Sequence, residues 1–339
     1  MNSRIAQQAQ RLVWMRLAAV IVYFFWCIVS VAHAQSSPAN TSQPSTVPEF
    51  YSLEEFKYAN QQIYIIDGTL PRRSTVLRPV PAIISGTAVA SMVVGLQIYQ
   101  GIVYWQDRAT FRIIEDGTYE LWADKAGHLF SGYIASRIAK DALLTSGFSW
   151  DAAAICGPLI GLGYQFYVEV MDGYGKNWGF SPSDAMMNAV GAGYVVAQHF
   201  VPVLQNFNIK ATYYPPRWFG EQSRPVASSA FDDYGAWTMW VSANVHNLLP
   251  EEARPYWPAW LNLAFGYAVR DVDLPTNDPK FIVSLDYDFE KILPDGGPVW
   301  NWFRQYLNIF KFPAPAVEFS ATRSPRYYLL FPFKLGASH

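Results

Sequence analysis

Between Asp124 and Asn188 the chain sets charged and polar side chains among apolar helical sequence: Asp124, Lys125 and His128, then Glu169 and Asp172, then Ser181, Asp184 and Asn188. Buried carboxylates, amines and imidazoles are costly unless they are paired or put to use. Asp124 and His128 stand four residues apart, and Glu169 and Asp172 three apart, so each pair shares a helix face. With His128 as proton shuttle, oriented by Asp124 or Glu169, and Lys125 steadying an anionic group, the set suits a hydrolase or transferase acting on an envelope lipid or glycan. The catalytic candidates are therefore His128, Asp124, Glu169, Asp172 and Lys125. A second chemistry is a metal held by His128, Asp124, Glu169 and Asp172, although one histidine among hard carboxylates is a weak zinc pattern and specifies no metal or other cofactor.

The third reading is structural and takes precedence. Lys125 neutralises Glu169 or Asp172, His128 bridges them, and Ser181, Asp184 and Asn188 cap and cross-link helices. Ser181 followed by Pro182 and Asp184 reads as a helix start, with a serine cap, proline at the first position and a carboxylate at the third. No nucleophile elbow or triad spacing accompanies Ser181. This reading makes the protein a structural or accessory member of the cell envelope with a buried Asp/Lys/His/Glu network.

The elements that must position these residues are mainly helical. Segments 79–106, 122–143, 151–170 and 182–204 predict a four-helix core, membrane-associated or membrane-embedded, within a helical region 79–209. Residues 79–106 carry no formal charge and are long enough to cross a bilayer. Glu169 and Asp172 close the third helix, where carboxylates are disfavoured and call for a partner among Lys125, Arg137 and Lys176. Residues 210–339 read as an aromatic-rich region packed on the core, with a few short β-strands. Within it, 258–269 reads as a helix, 281–289 alternates as a strand, 300–310 reads as an aromatic amphipathic helix, and 317–319 with 327–331 as a short strand pair.

The ends of the chain point to export. Residues 1–34 have a basic start, an apolar run and Ala32-His33-Ala34 as a cleavage site, which predicts a signal peptide. A polar linker, 35–49, and an N-terminal extension, 50–78, follow. Cys27 leaves with the signal, so Cys156 is alone in the mature chain and no internal disulfide is expected. Only 15% of the 339 residues are charged, against roughly 25% in soluble domains, while 17% are aromatic, with 13 Trp and 21 Tyr. That balance fits a protein that meets a membrane interface, making membrane lipid the expected partner alongside an envelope protein. A net charge of −2 and the lack of a basic tract argue against nucleic acid. Sparse Arg and Lys choose neither inner nor outer membrane.

The segments Asp124-Lys-Ala-Gly-His128, Glu169-x-x-Asp172-Gly and Gly179-Phe-Ser-x-x-Asp184-x-x-x-Asn188 resemble the YfiM-like family of predicted envelope lipoproteins, a domain of unknown function (2279). Phe231-Asp-Asp-Tyr-Gly, Trp240-Val-Ser-Ala-Asn244 and Trp260-Leu-Asn-x-Ala-Phe-Gly-Tyr267 are similar to its longer members, so that the resemblance extends over about 80–335. It implies a mostly helical core and an envelope location, and no established activity. Lipoprotein members begin with a lipidated cysteine, which this chain lacks after its cleavage site.

Overall fold

The computed structural model describes residues 49–56, 64–215, 229–270 and 277–333. The expected signal peptide, the linker up to 48 and Trp218 lie outside these residues.

Four long helices form where the apolar runs predict them: α1 Pro79–Val103, α2 Ala123–Thr145, α3 Trp150–Gly173 and α4 Pro182–Phe200. They are not a discrete four-helix bundle. Three of them, α2, α3 and α4, pack tightly because glycines remove the side chains between them. A Cβ on Gly132 would stand 2.2 Å from the Asn188 carbonyl oxygen, and one on Gly161 would stand 2.5 Å from the Ser136 nitrogen. Helix α1 lies along this unit on a few polar contacts. Ser85 Oγ meets Ser146 Oγ at 3.0 Å, and Tyr164 donates to Gln100 Oε1 at 3.3 Å. Gln97 is its one buried residue, and Val80, Ile83, Ile84, Ile98 and Ile102 are all exposed. Helices α1 and α3 are both long and apolar enough to cross a membrane.

The C-terminal region corrects the expectation of a few short strands. It holds a six-stranded antiparallel meander: β1 Phe207–Tyr213, β2 Trp237–Ala243, β3 Leu261–Arg270, β4 Asp278–Tyr287, β5 Ala316–Ser320 and β6 Arg326–Tyr328. The helix expected over 258–269 is in fact β3. Three further helices, α5 Val245–Leu248, α6 Phe289–Ile292 and α7 Pro298–Leu307, bring the described total to seven. The strand at 281–289, the pair formed by β5 and β6, and the aromatic helix at 300–310 lie close to their expected places.

The sheet buries an apolar cluster, Trp240, Ala264, Ala268, Ile282 and Ala316, on its covered face, yet places a large polar set there as well. Its covered face carries Lys210, Ser242, Asn262, Lys280 and Asp286, with Asp286 fully buried. Several of these groups are paired: Lys210 Nζ lies 2.7 Å from Asp286 Oδ2, Ser242 donates to the same oxygen at 2.6 Å, and Lys280 pairs with Asp278. Helix α2 joins them, with Tyr133 donating to Asn208 Oδ1 at 3.2 Å and Arg137 donating to the Tyr133 hydroxyl at 2.9 Å. The opposite face carries Val241, Phe265, Phe281 and Phe319, which are 46%, 53%, 61% and 44% exposed.

Candidate functional site

The polar cluster forms where α2 and α4 begin and α3 ends. The chain enters α2 through three consecutive non-glycine residues with positive φ, Glu120, Leu121 and Trp122, a conformation that costs energy and persists only where the surroundings impose it. Tyr267 of β3 holds this turn by donating to the Leu121 carbonyl. At the start of α4, Ser181 caps as its sequence context predicts, accepting from the Asp184 N–H at 3.3 Å with Pro182 next. The glycine-rich turn between α3 and α4 is pinned by Arg112, whose Nη2 donates to the carbonyls of Gly175, Lys176 and Trp178 at 3.0, 2.6 and 2.6 Å.

Lys125 is almost wholly buried, and its Nζ lies 2.6 Å from each of three carboxylates: Asp116 Oδ1, Asp124 Oδ2 and Asp184 Oδ1. Burial works against its charge, and the three carboxylates outweigh burial and hold the ammonium above the ordinary lysine range. Lys125 therefore pairs with Asp124, Asp184 and Asp116, and not with Glu169 or Asp172 as the spacing suggests. Glu169 meets His128 instead, with Oε1 3.2 Å from Nδ1. The other ring nitrogen, Nε2, lies 3.4 Å from Asp124 Oδ1 and 3.6 Å from Asp184 Oδ2. Desolvation would lower the His128 pKa, but hydrogen bonds to Asp124 and Glu169 reverse this and raise it well above the usual value. The ring is thus wedged between carboxylates that favour its protonated form, with Asn188 Nδ2 also 3.2 Å from Nδ1 and 21% of its side chain exposed.

Asn188 is fully buried and donates to Glu169 Oε1 at 3.2 Å, which ties α4 to α3. Asp172 turns to another partner, accepting from Trp105 Nε1 at 2.6 Å. Asp184 is pushed up to about 7 by burial and by the charge of Asp124, against the pull of His128 and Lys125. Burial also acts on Asp124, but His128 and Lys125 dominate and hold it far below the usual carboxylate range.

Three participants escape the sequence reading. Asp116 accepts from both Lys125 and Ser181 Oγ, at 2.6 and 2.7 Å. Tyr234 donates to Asp124 Oδ1 from 110 residues away. Trp105 serves Asp172. All three lie on connectors, where no periodicity marks them. The metal-ligand set read from the sequence does not converge as such. The ligating atoms that come within 4.8 Å of one another belong to Asp124, His128 and Asp184.

A family model described as predicted periplasmic lipoprotein (DUF2279) matches residues 113–199, which take in α2, α3, nearly all of α4 and the polar cluster except Trp105 and Tyr234. The similarity covers about a quarter of the chain, and the sheet lies outside it. No curated protein matches, and no solved structure does.

Proposed function

We propose that this chain is a membrane-associated envelope protein of structural or accessory role, and that the cluster from Asp116 to Asn188 is a charge network fixing α2, α3 and α4 in register. The observation that carries the reading is Lys125 Nζ at 2.6 Å from three carboxylates at once. A cation so engaged is unavailable to a ligand. His128 is similarly committed. General acid–base chemistry needs a ring nitrogen free to exchange a proton, and both nitrogens face carboxylates. Ser181 is engaged as a cap, and its hydroxyl donates to the Asp116 carboxylate that Lys125 already pairs. The family description supports an envelope location, and the exposed apolar surface of α1 supports contact with membrane lipid.

A second reading rests on the convergence of Asp124, His128 and Asp184, which offers a divalent cation one nitrogen and two carboxylate ligands. Such an ion would assist a hydrolase or transferase acting on an envelope lipid or glycan. It would have to displace the His128 proton beside the Lys125 ammonium. Metal content and unfolding of the purified protein and of His128→Ala and Glu169→Gln separate the two. The network reading expects no stoichiometric metal in the parent and a lowered unfolding temperature in both variants. Metal in the parent that His128→Ala loses, with its stability unchanged, would overturn it.

A further inference from the structure

We infer that the outward face of the sheet is a lipid-facing surface, seated against the hydrocarbon of a bilayer beside α1. The register sets side chains in rows across the strands. One row runs Ile209, Val241, Phe265, Val283, Val317 and Tyr327, of which Ile209 is buried against Tyr133 and Val195, so that the open face begins at β2. The next runs Ala211, Met239, Tyr267, Phe281 and Phe319, with Ala211 buried and the Tyr267 hydroxyl turned to the Leu121 carbonyl at the start of α2. Neither row contains a charged residue. On the covered face, the row between them holds Lys210, Trp240, Ile282 and Glu318, and the rows to either side hold Ser242, Lys280 and Asp286.

A sheet that packs on a soluble core buries its apolar face and wets its polar one. Here the covered face adds buried charged and polar groups on β1, β2, β4 and β5 to the apolar cluster of Trp240, Ala264, Ala268 and Ile282, while the opposite face is apolar on every strand from β2 to β5, as on strands that face lipid. Water gives no reason to keep Phe265 and Phe281 outside while lysines and aspartates occupy the interior. A hydrocarbon solvent does.

Three independent features agree with this occupant. Strands β3 and β4 each have ten residues, within the nine to eleven that a tilted strand needs to cross a bilayer core. Large aromatic pairs flank the aliphatic band at both ends: Tyr213 with Trp237, centroids 5.0 Å apart, and Trp260 with Tyr287, 6.4 Å apart. The exposed side of α1 also reaches the segment that leads into the sheet, where its Tyr99 packs on exposed Phe231 ahead of β2, with centroids 5.9 Å apart.

A sheet in lipid must also leave no bare edge. The outer edge of β1 is closed by residues 309–311, since the Ala211 N–H donates to the Ile309 carbonyl and its own carbonyl accepts from the Lys311 N–H, both at 3.1 Å. At the other end β6 is only three residues long, so it terminates the face with little free edge.

The inference rests on the membrane association proposed above, and the experiment separates the two. Single cysteines replace Val241, Phe265, Phe281 or Ile98 in the full chain, with Cys27 and Cys156 changed to alanine. Each is labelled with a small fluorophore and reconstituted into phosphatidylethanolamine–phosphatidylglycerol vesicles. Quenching by brominated acyl chains is compared with quenching by aqueous iodide. The sheet positions are expected to be quenched several-fold more by brominated lipid than by iodide, as is Ile98 on α1. Iodide quenching at the sheet positions with lipid quenching at Ile98 would overturn the lipid-facing sheet and leave membrane association standing. Iodide quenching at all four would overturn both. Sheet positions shielded from both quenchers until the protein is diluted in the membrane would mean that a second copy covers the face, which also overturns the inference.

Discussion

His128 on α2 and Glu169 on α3 meet with Nδ1 and Oε1 3.2 Å apart, and the same imidazole reaches back along its own helix to Asp124. One ring thus joins a helix start to a helix end. Groups that act through a shared contact lose more than their separate parts when the contact goes, and less than the sum when both go. Each of His128→Ala and Glu169→Gln is expected to destabilise the protein, and the double variant to fall short of additivity by about 0.5–3 kcal/mol. Chemical unfolding in a mild detergent measures this, and strict additivity would show that the two residues do not act together.

Replacing Lys125 by methionine keeps most of the side-chain volume and leaves Asp116, Asp124 and Asp184 without their shared cation. Removing one partner of a buried ion cluster costs about 3–5 kcal/mol, because the remaining charges stay buried and uncompensated. Adding Asp184→Asn to Lys125→Met is expected to return part of that loss. A double variant less stable than Lys125→Met alone would contradict the arrangement.

The pH dependence has a definite sign. Asp184 has its pKa raised from the usual carboxylate value to about 7, so the folded state binds its proton more tightly than the unfolded chain does. That contribution is complete in acid, below the unfolded value, and is lost as pH rises through about 7. His128, also raised, has the same sign and loses its contribution at still higher pH. Unfolding temperature should therefore fall as pH rises from mildly acidic to alkaline. Asp184→Asn should flatten the first part of that fall, and a wild-type profile flat to pH 8 would argue against it.

The glycines sort into two kinds. A Cβ at Gly132 or Gly191 would come within 2.2 or 2.1 Å of a backbone carbonyl oxygen on the neighbouring helix, whereas one at Gly163 or Gly193 meets nothing within 4 Å. Gly132→Ala should cost about 1–3 kcal/mol through forced separation of the helices. Gly193→Ala should gain about 0.5–1 kcal/mol by lowering the entropy of the unfolded chain. Equal effects at the two positions would mean that α2 and α4 are not packed this closely.

The four long helices are legible because their apolar runs are long and their starts are marked, as Ser149 and Ser181 show. β3 is not legible, and the reason is physical. Its inward positions include Ala264, Gly266 and Ala268, small residues beneath Trp240 and Ile282. With small rather than polar side chains on the covered face, its alternation disappears into one apolar run that reads equally well as a helix. β4 alternates openly, with Ser284 and Asp286 inward against Val283 and Leu285 outward, and so reads as a strand. In the cluster, the helix-borne residues can be found from spacing. Asp116, Tyr234 and Trp105 cannot, because long-range contacts rather than local periodicity bring them there.

Gln305 on α7 clasps the backbone of Tyr64, accepting from its N–H at 3.0 Å and donating to its carbonyl at 2.9 Å across 241 residues of chain. The edge of β1 likewise waits for Ile309 and Lys311, nearly a hundred positions later. During synthesis, the early helices and the first strand emerge long before the segment that fastens them. Completion is therefore an event in time as well as in space. A chain halted before about residue 300 presents an open strand edge and an unclasped start to whatever quality control it meets, and only the arrival of its last tenth closes both.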